Sequence, residues 1–139
     1  MIGTPGGYRA MSCEIPSDRV VVSKVRDMVR WALTGWGLPE LVDDVVLMVS
    51  ELVTNAIAHG APPIRLSLRA GDGALRGEVT DHGEGLPHRL HVGDEVDHGR
   101  GLLIVDALAD RWGVSSVPER AGKGVWFVRF LAGGEPEAG

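Results

Sequence analysis

Apolar residues recur at intervals of three and four positions in two stretches before Gly60, the spacing of amphipathic helices. Residues 16–18, Pro-Ser-Asp, supply turn and N-cap residues for a first helix expected at about residues 17–33. A second helix is expected to begin at Pro39 and to end near residues 59–60, before the Pro62-Pro63 pair. Its apolar positions are Leu41, Val45, Met48, Val49, Leu52, Val53 and Ala56.

Apolar and polar residues alternate elsewhere, which predicts strands. Ile64, Leu66 and Leu68 alternate with polar residues up to a turn at residues 71–73, so this strand forms a hairpin with the next one. Residues 83–100 have almost no periodicity and predict a mobile loop, followed by a short apolar helix at residues 102–109. The other expected strands cover residues 9–15, 74–81, 112–117 and 125–131, the last two joined by a turn at residues 118–124.

This order of elements predicts an α+β fold, a two-layer sandwich in which helices cover one face of a mostly antiparallel mixed sheet. It differs from the alternating βαβ order of doubly wound nucleotide-binding folds. Residues 1–8 and 133–139 are rich in Gly with Pro and are expected to be flexible tails. One domain is therefore expected at residues 9–132.

Composition narrows the function classes. The 139 residues are 44% hydrophobic and 24% charged, as in one folded domain. The formal net charge of −5 disfavours DNA or RNA as a direct partner. Cys13 is the only cysteine, which suits a reducing compartment such as the cytoplasm. No apolar run approaches the roughly 20 residues of a membrane-spanning helix.

Candidate chemistry lies at three places along the chain. Glu51 and Asn55 stand four residues apart on the second helix and project from the same side of it. Such a pair is by itself typical of a solvated helix face. Asp81 ends a strand and is followed by a Gly-rich segment, and Gly99-Arg100-Gly101 precedes the predicted short helix. These glycines either make turns or expose backbone N–H groups to a phosphate.

Together these segments resemble the motifs of the GHKL (histidine kinase-like) ATPases. Residues 51–59, ELVTNAIAH, resemble the N-box; residues 81–86, DHGEGL, and residues 99–102, GRGL, resemble the two glycine boxes. The short layout and residues 106–113, DALADRWG, are most similar to the anti-sigma-factor serine kinases of the RsbW and SpoIIAB type. The resemblance implies the Bergerat-type ATP-binding fold.

The resemblance also implies roles for individual residues. Asn55 would be a Mg²⁺ ligand at the triphosphate, since Mg²⁺ prefers oxygen donors. Glu51 would orient or deprotonate the serine hydroxyl of a partner protein. Asp81 would accept a hydrogen bond from the adenine amino group, or it would simply cap the strand end. The remaining cofactor-binding positions, which approach the base, sugar or phosphates, are Gly83, Gly85, Gly99, Arg100, Gly101 and Leu102.

A regulator of transcription is the function that this resemblance implies. With ATP and Mg²⁺ bound, the chain would phosphorylate an anti-anti-sigma protein with a STAS domain. It would also sequester a sigma factor. The resemblance further implies that the chain is able to form a homodimer. The alternative is a non-catalytic module in which ATP only creates a docking face. Glu51 favours the kinase. Gly124, at the position taken as the family's supporting Thr, favours the module. A stand-alone ATPase is disfavoured, because such enzymes use further domains.

Three further residue types have simpler interpretations. Lys123, in a Gly-flanked turn, is expected to be solvated. His82, His88, His91 and His98 flank the predicted loop without a regular scaffold, which disfavours a metal site. Trp31, Trp112 and Trp126 are candidates for the core or an interface, and Trp36, near a Gly-rich corner, is the tryptophan expected to be exposed.

Overall fold

A five-stranded sheet forms one layer of the molecule in the computed structural model, which describes residues 8–83, 96–117 and 122–131, with the side chains of 96–100 and 117 left aside. Its strands are β1 (Arg9–Ile15), β2 (Ile64–Gly71), β3 (Ala74–Asp81), β4 (Arg111–Val117) and β5 (Gly122–Phe130). They lie in the order β1-β2-β3-β5-β4, and the four ladders between neighbouring strands are antiparallel. The expected mixed sheet is thus antiparallel throughout the described strands.

Three helices cover one face of this sheet and confirm the α+β two-layer fold. They are α1 (Val22–Gly35), α2 (Val42–His59) and α3 (Val96–Leu108), and single 3₁₀ turns at Arg19–Val21 and Pro39–Leu41 lead into the first two. Asp43 and Asp44 lie in the first turn of α2, where carboxylates interact favourably with the helix dipole. No helix within the described residues is long and apolar enough to cross a membrane.

The β2–β3 hairpin shows how local sequence sets the sheet register. Asp72 and Gly73 form its two-residue turn with φ of 55° and 77°, the pair of positive values that a type I′ hairpin turn requires. Residues of β2 therefore alternate strictly between the two faces, with Ile64, Leu66 and Leu68 buried beneath the helices.

The core lies between the helices and the sheet. α2 contributes buried side chains at three- and four-residue spacing, and β5 contributes Phe127, which is fully buried. The expectation that Trp36 is the exposed tryptophan needs correction here. Trp36 packs against the core, while Trp31 on α1 is 81% exposed. The reason is that α1 turns the side with Val25, Val29 and Leu33 to the core, which places Trp31 on the outer side.

Two predicted element boundaries are wrong. Residues 96–100 belong to α3 and not to a loop, so the helix starts well before residue 102. β5 begins at Gly122, within the predicted turn at residues 118–124, because residues 122–124 pair with both neighbouring strands. Non-local pairing outweighs the low strand propensity of glycine at these positions.

Candidate functional site

One side of α2 carries the first part of the candidate site. Glu51 and Asn55 are both half-buried, one helical turn apart, and flank the buried positions Leu52 and Val53. α2 ends at Gly60, its C-cap residue, whose N–H donates to Ala56 O. From Glu51 to Gly60 the helix rises by about 13 Å at about 1.5 Å per residue.

Asn55 lies against α3. A Cβ atom built on Gly101 would overlap Asn55 Nδ2, and Asn55 Oδ1 lies farther away at 3.8 Å. The absence of a side chain at position 101 therefore lets α3 approach α2 closely at this point. The amide group of Asn55 therefore packs against α3, and it carries an oxygen donor of the kind Mg²⁺ prefers.

Asp81 ends β3 beside the C-terminus of α2 and is only 8% exposed. Its Oδ1 accepts a hydrogen bond of 2.7 Å from the backbone N–H of Gly83. His82 N–H donates to Ala61 O at 2.8 Å, which ties the end of β3 to the segment after α2. Asp81 thus caps the strand end, which is one of the two roles expected for it. The other expected role is to accept a hydrogen bond from the amino group of adenine.

Glycines make the space that Asp81 occupies. A Cβ atom on Gly60 would lie 2.5 Å from Asp81 Cγ, and one on Gly83 would lie 2.8 Å from Gly60 Cα. Any side chain at position 60 would therefore displace the carboxylate. Gly60 is a site residue that the sequence analysis treated only as the end of a helix, and no local signal distinguishes the two roles.

Lys123 is the second site residue that the sequence analysis missed. It was expected to be solvated, but its side chain is 11% exposed and its Nζ lies 3.4 Å from Asp81 Oδ1. Asp81 and Lys123 are direct partners in the β3–β5 ladder, which places both side chains on the same face of the sheet. Cross-strand register of this kind cannot be read from a turn-like local sequence.

The position of Gly124 also needs correction. Gly124 pairs with Thr80, and a Cβ atom there would lie 2.7 Å from Thr80 Cγ2, on the face of the sheet away from the helices. A hydroxyl at position 124 would not reach Asp81. On the Asp81 side, β5 presents Lys123 and then Val125, since side chains alternate along a strand. Gly124 therefore no longer favours a non-catalytic module.

The other predicted site residues are described only in part. Gly99 and Arg100 lie inside α3, and the side chain of Arg100 is not described. Leu102 is 6% exposed and belongs to the hydrophobic core. Gly85, like His88 and His91, lies outside the described residues. The described residues thus bring together Asn55 with Gly101 and Asp81 with Gly60, Gly83 and Lys123.

Comparisons with known proteins identify the family of the chain and its fold. Residues 15–129 match the model of the histidine kinase-like ATPase domain, so the chain belongs to that family. A comparison with curated proteins gives no significant match. Among solved structures, the chain is similar to the crystal structure of the RsbU and RsbW domains of Rv1364c from Mycobacterium tuberculosis, with a TM-score of 0.68 and 22% identity. The similarity covers 88% of this chain and 32% of that one, and at this identity it concerns the fold.

Proposed function

We propose that this chain binds ATP with Mg²⁺ and acts as an anti-sigma regulatory factor, transferring the γ-phosphoryl group to a serine of a STAS-domain partner and sequestering a sigma factor. The observation that carries the proposal is the placement of Asn55 against Gly101 of α3 together with that of Asp81 against Gly60 at the end of α2. Membership of the histidine kinase-like ATPase family and the fold shared with an RsbW-containing structure support it.

Asp81 supplies the base-binding end in this proposal. Its Oδ1 is engaged by Gly83 and Lys123, and among the described residues Oδ2 has no hydrogen-bond donor. A buried carboxylate oxygen of this kind accepts a hydrogen bond from the amino group of adenine. Guanine presents a carbonyl oxygen at the same position and would meet Asp81 with an unfavourable acceptor pair.

Asn55 supplies the metal end. The residues fit Mg²⁺ and a triphosphate because Asn55 offers a neutral amide oxygen and Gly101 leaves no side chain between the two helices. Mg²⁺ neutralises phosphate charge when bound. Asn55 would hold that ion, and Gly99 to Gly101 bring the backbone of α3 close to Asn55.

Glu51 stands one helical turn from Asn55 and supplies the proton acceptor. The serine oxygen of the partner bonds to the γ-phosphorus while the bond from that phosphorus to the bridging oxygen breaks. The hydroxyl proton passes to the Glu51 carboxylate, and ADP leaves with the bridging oxygen. The carboxylate therefore orients the nucleophile and removes its proton.

Isothermal titration with ATP and with GTP, each with and without Mg²⁺, tests the binding step. We expect binding of ATP that depends on Mg²⁺ and exceeds binding of GTP. Asn55→Ala should abolish the Mg²⁺-dependent part without unfolding the domain, and Asp81→Asn should remove the preference for adenine. Equal binding of ATP and GTP by the wild type would contradict the role of Asp81.

Transfer of labelled phosphate to a candidate STAS-domain protein tests the chemistry. We expect transfer by the wild type and its loss in Glu51→Ala, with ATP binding retained. Glu40→Ala is the matched control, because Glu40 is exposed in the 3₁₀ turn before α2. ATP binding without transfer to any STAS-domain protein would favour the ATP-sensing module instead. Transfer that survives in Glu51→Ala would refute the assignment of the proton acceptor.

A further inference from the structure

Lys123 is one of only two lysines in the chain, and the two differ sharply in environment. Lys24 is exposed on α1, whereas the Lys123 side chain is 11% exposed at the start of β5. Burying an ammonium group is costly unless a carboxylate offsets the cost. The placement of Lys123 therefore depends on the carboxylate that it faces.

That carboxylate belongs to Asp81, whose side chain is also only 11% exposed. Lys123 Nζ lies 3.4 Å from Oδ1, and the backbone N–H of Gly83 donates to the same oxygen at 2.7 Å. Both contacts fall on one oxygen, so they fix the carboxylate while leaving Oδ2 without a donor among the described residues. Val125, the next β5 residue on this side, has no polar group that could do the same.

We propose that Lys123 is a positioning residue that holds the Asp81 carboxylate in the orientation that recognises the 6-amino group of adenine. The inference rests on the proposed function, since it requires that Asp81 meets the base. Lys123 offsets the cost of burying the Asp81 charge and directs Oδ2 toward the ligand. It thereby contributes to base recognition through Asp81 and not through contact with the nucleotide.

Titration with two nucleotides tests this role. ATP and purine riboside triphosphate differ only in the 6-amino group, so the ratio of their affinities isolates the contact with Asp81. For the wild type we expect ATP to bind more tightly by on the order of tenfold, the value of a hydrogen bond to a charged group. Lys123→Met should bring the ratio near one, as should Asp81→Asn, whereas Lys123→Arg should preserve it. Lys24→Met is the matched control and should leave the ratio unchanged.

A measurement without nucleotide tests the ion pair in the unmodified protein. Limited acetylation followed by mass spectrometry compares the two lysines directly. We expect Lys123 to react severalfold more slowly than Lys24 in the wild type. Asp81→Asn should accelerate acetylation of Lys123 and leave Lys24 unchanged. Equal reactivity of the two lysines in the wild type would overturn the proposed pairing, whatever the folding of the Lys123 variants.

The outcomes separate this inference from the proposed function. A wild type that binds neither nucleotide would refute the proposed function and this role with it. A wild type that prefers ATP, combined with Lys123→Met that retains the preference, would overturn the role of Lys123 alone. A folded Lys123→Met that loses affinity for both nucleotides equally would also overturn it, because a merely structural residue gives that result.

Discussion

Gly101 has no side chain, and a substitution there is expected to affect nucleotide binding without lowering the stability of the fold. Alanine there would place its Cβ on Asn55 Nδ2, the far end of a side chain that is able to rotate. Alanine is also the better helix former, by up to about 1 kcal/mol in a helix interior. We therefore expect Gly101→Ala to fold with unchanged or slightly higher stability and to lose Mg²⁺-ATP affinity by about tenfold or more.

The measurement for Gly101→Ala is urea denaturation together with calorimetric titration of Mg²⁺-ATP. Gly35→Ala is the matched control, because a Cβ on Gly35 at the end of α1 meets no atom of the described residues within 4 Å. The control should bind as the wild type does. Full nucleotide affinity in Gly101→Ala would show that Asn55 tolerates displacement and would remove it from the metal end of the site.

Cys13 allows a prediction about pH. Burial raises the pKa of the Cys13 thiol, and Arg65 lowers it by a smaller amount. A raised pKa means less thiolate at neutral pH, and the thiolate is the reactive form. We expect slower alkylation by iodoacetamide in the native protein than in the urea-unfolded chain, with a pH profile displaced to higher pH. Arg65→Met should slow the reaction further, and an accelerated reaction would contradict this account.

Single residues show which parts of the site are readable from the sequence. Asn55 and Asp81 were predicted as site residues because their neighbours form motifs along the chain. Gly60 and Lys123 were missed because their roles arise from packing between segments distant in the sequence. The position 124 hydroxyl was misassigned for a related reason, since the face on which a strand residue points depends on cross-strand register.

At the scale of elements, periodicity succeeded where the signal is local. The bounds of β1, β3 and the hairpin turn agree with the sequence pattern, because alternation and an Asp-Gly turn are properties of a few adjacent residues. The start of α3 was missed because Gly99 and Gly101 were interpreted as loop residues. Helix propensity is a weak guide there, and close contact with Asn55 explains a glycine within α3 at position 101.

The packing of β3 against β5 depends on another glycine. Gly77 is the direct partner of Phe127, and a Cβ at position 77 would overlap the Phe127 ring. Phe127 is fully buried, so the ring has no space into which to move. We expect Gly77→Ala to lower the free energy of unfolding by about 1–3 kcal/mol.

Urea denaturation measures this change, with Gly122→Ala as control, since the nearest atom to a Cβ on Gly122 lies 3.7 Å away. The control is expected to remain close to wild-type stability. Unchanged stability in Gly77→Ala would mean that β3 and β5 can separate slightly at no cost, and the core would then be less tightly packed than the structure indicates.

At the scale of the whole molecule, β5 connects the two ends of α2. Lys123 lies at one end of β5 and pairs with Asp81 near the C-terminus of α2. Arg129 lies at the other end, about 20 Å away at about 3.3 Å per residue. Its Nη1 contacts Asp44 Oδ2 in the first turn of α2 at 2.6 Å and also donates to Leu108 O at 3.2 Å. The Arg129 end therefore holds the two layers together, while the Lys123 end adjoins the candidate site.

This division predicts the effect of Arg129→Met. Arg129 Nε also lies 3.6 Å from Asp110 Oδ2, so the substitution removes contacts from β5 to both α2 and the end of α3. The side chains of Asp44 and Asp110 are 40% and 42% exposed, so solvent screens part of each interaction. We expect a loss of about 1–2 kcal/mol in the free energy of unfolding, with weaker dependence of stability on salt than in the wild type.

Arg30→Met is the matched control, because Arg30 pairs with Asp27 within α1 at an exposed position and should change stability by less than about 0.5 kcal/mol. Nucleotide affinity supplies the second readout. Arg129→Met should retain it within about twofold at temperatures where the domain is folded, since Arg129 and Lys123 lie at opposite ends of the strand. A large loss of ATP affinity in folded Arg129→Met would show that the two ends of β5 are coupled, so that the orientation of α2 against the sheet itself determines the geometry of the site.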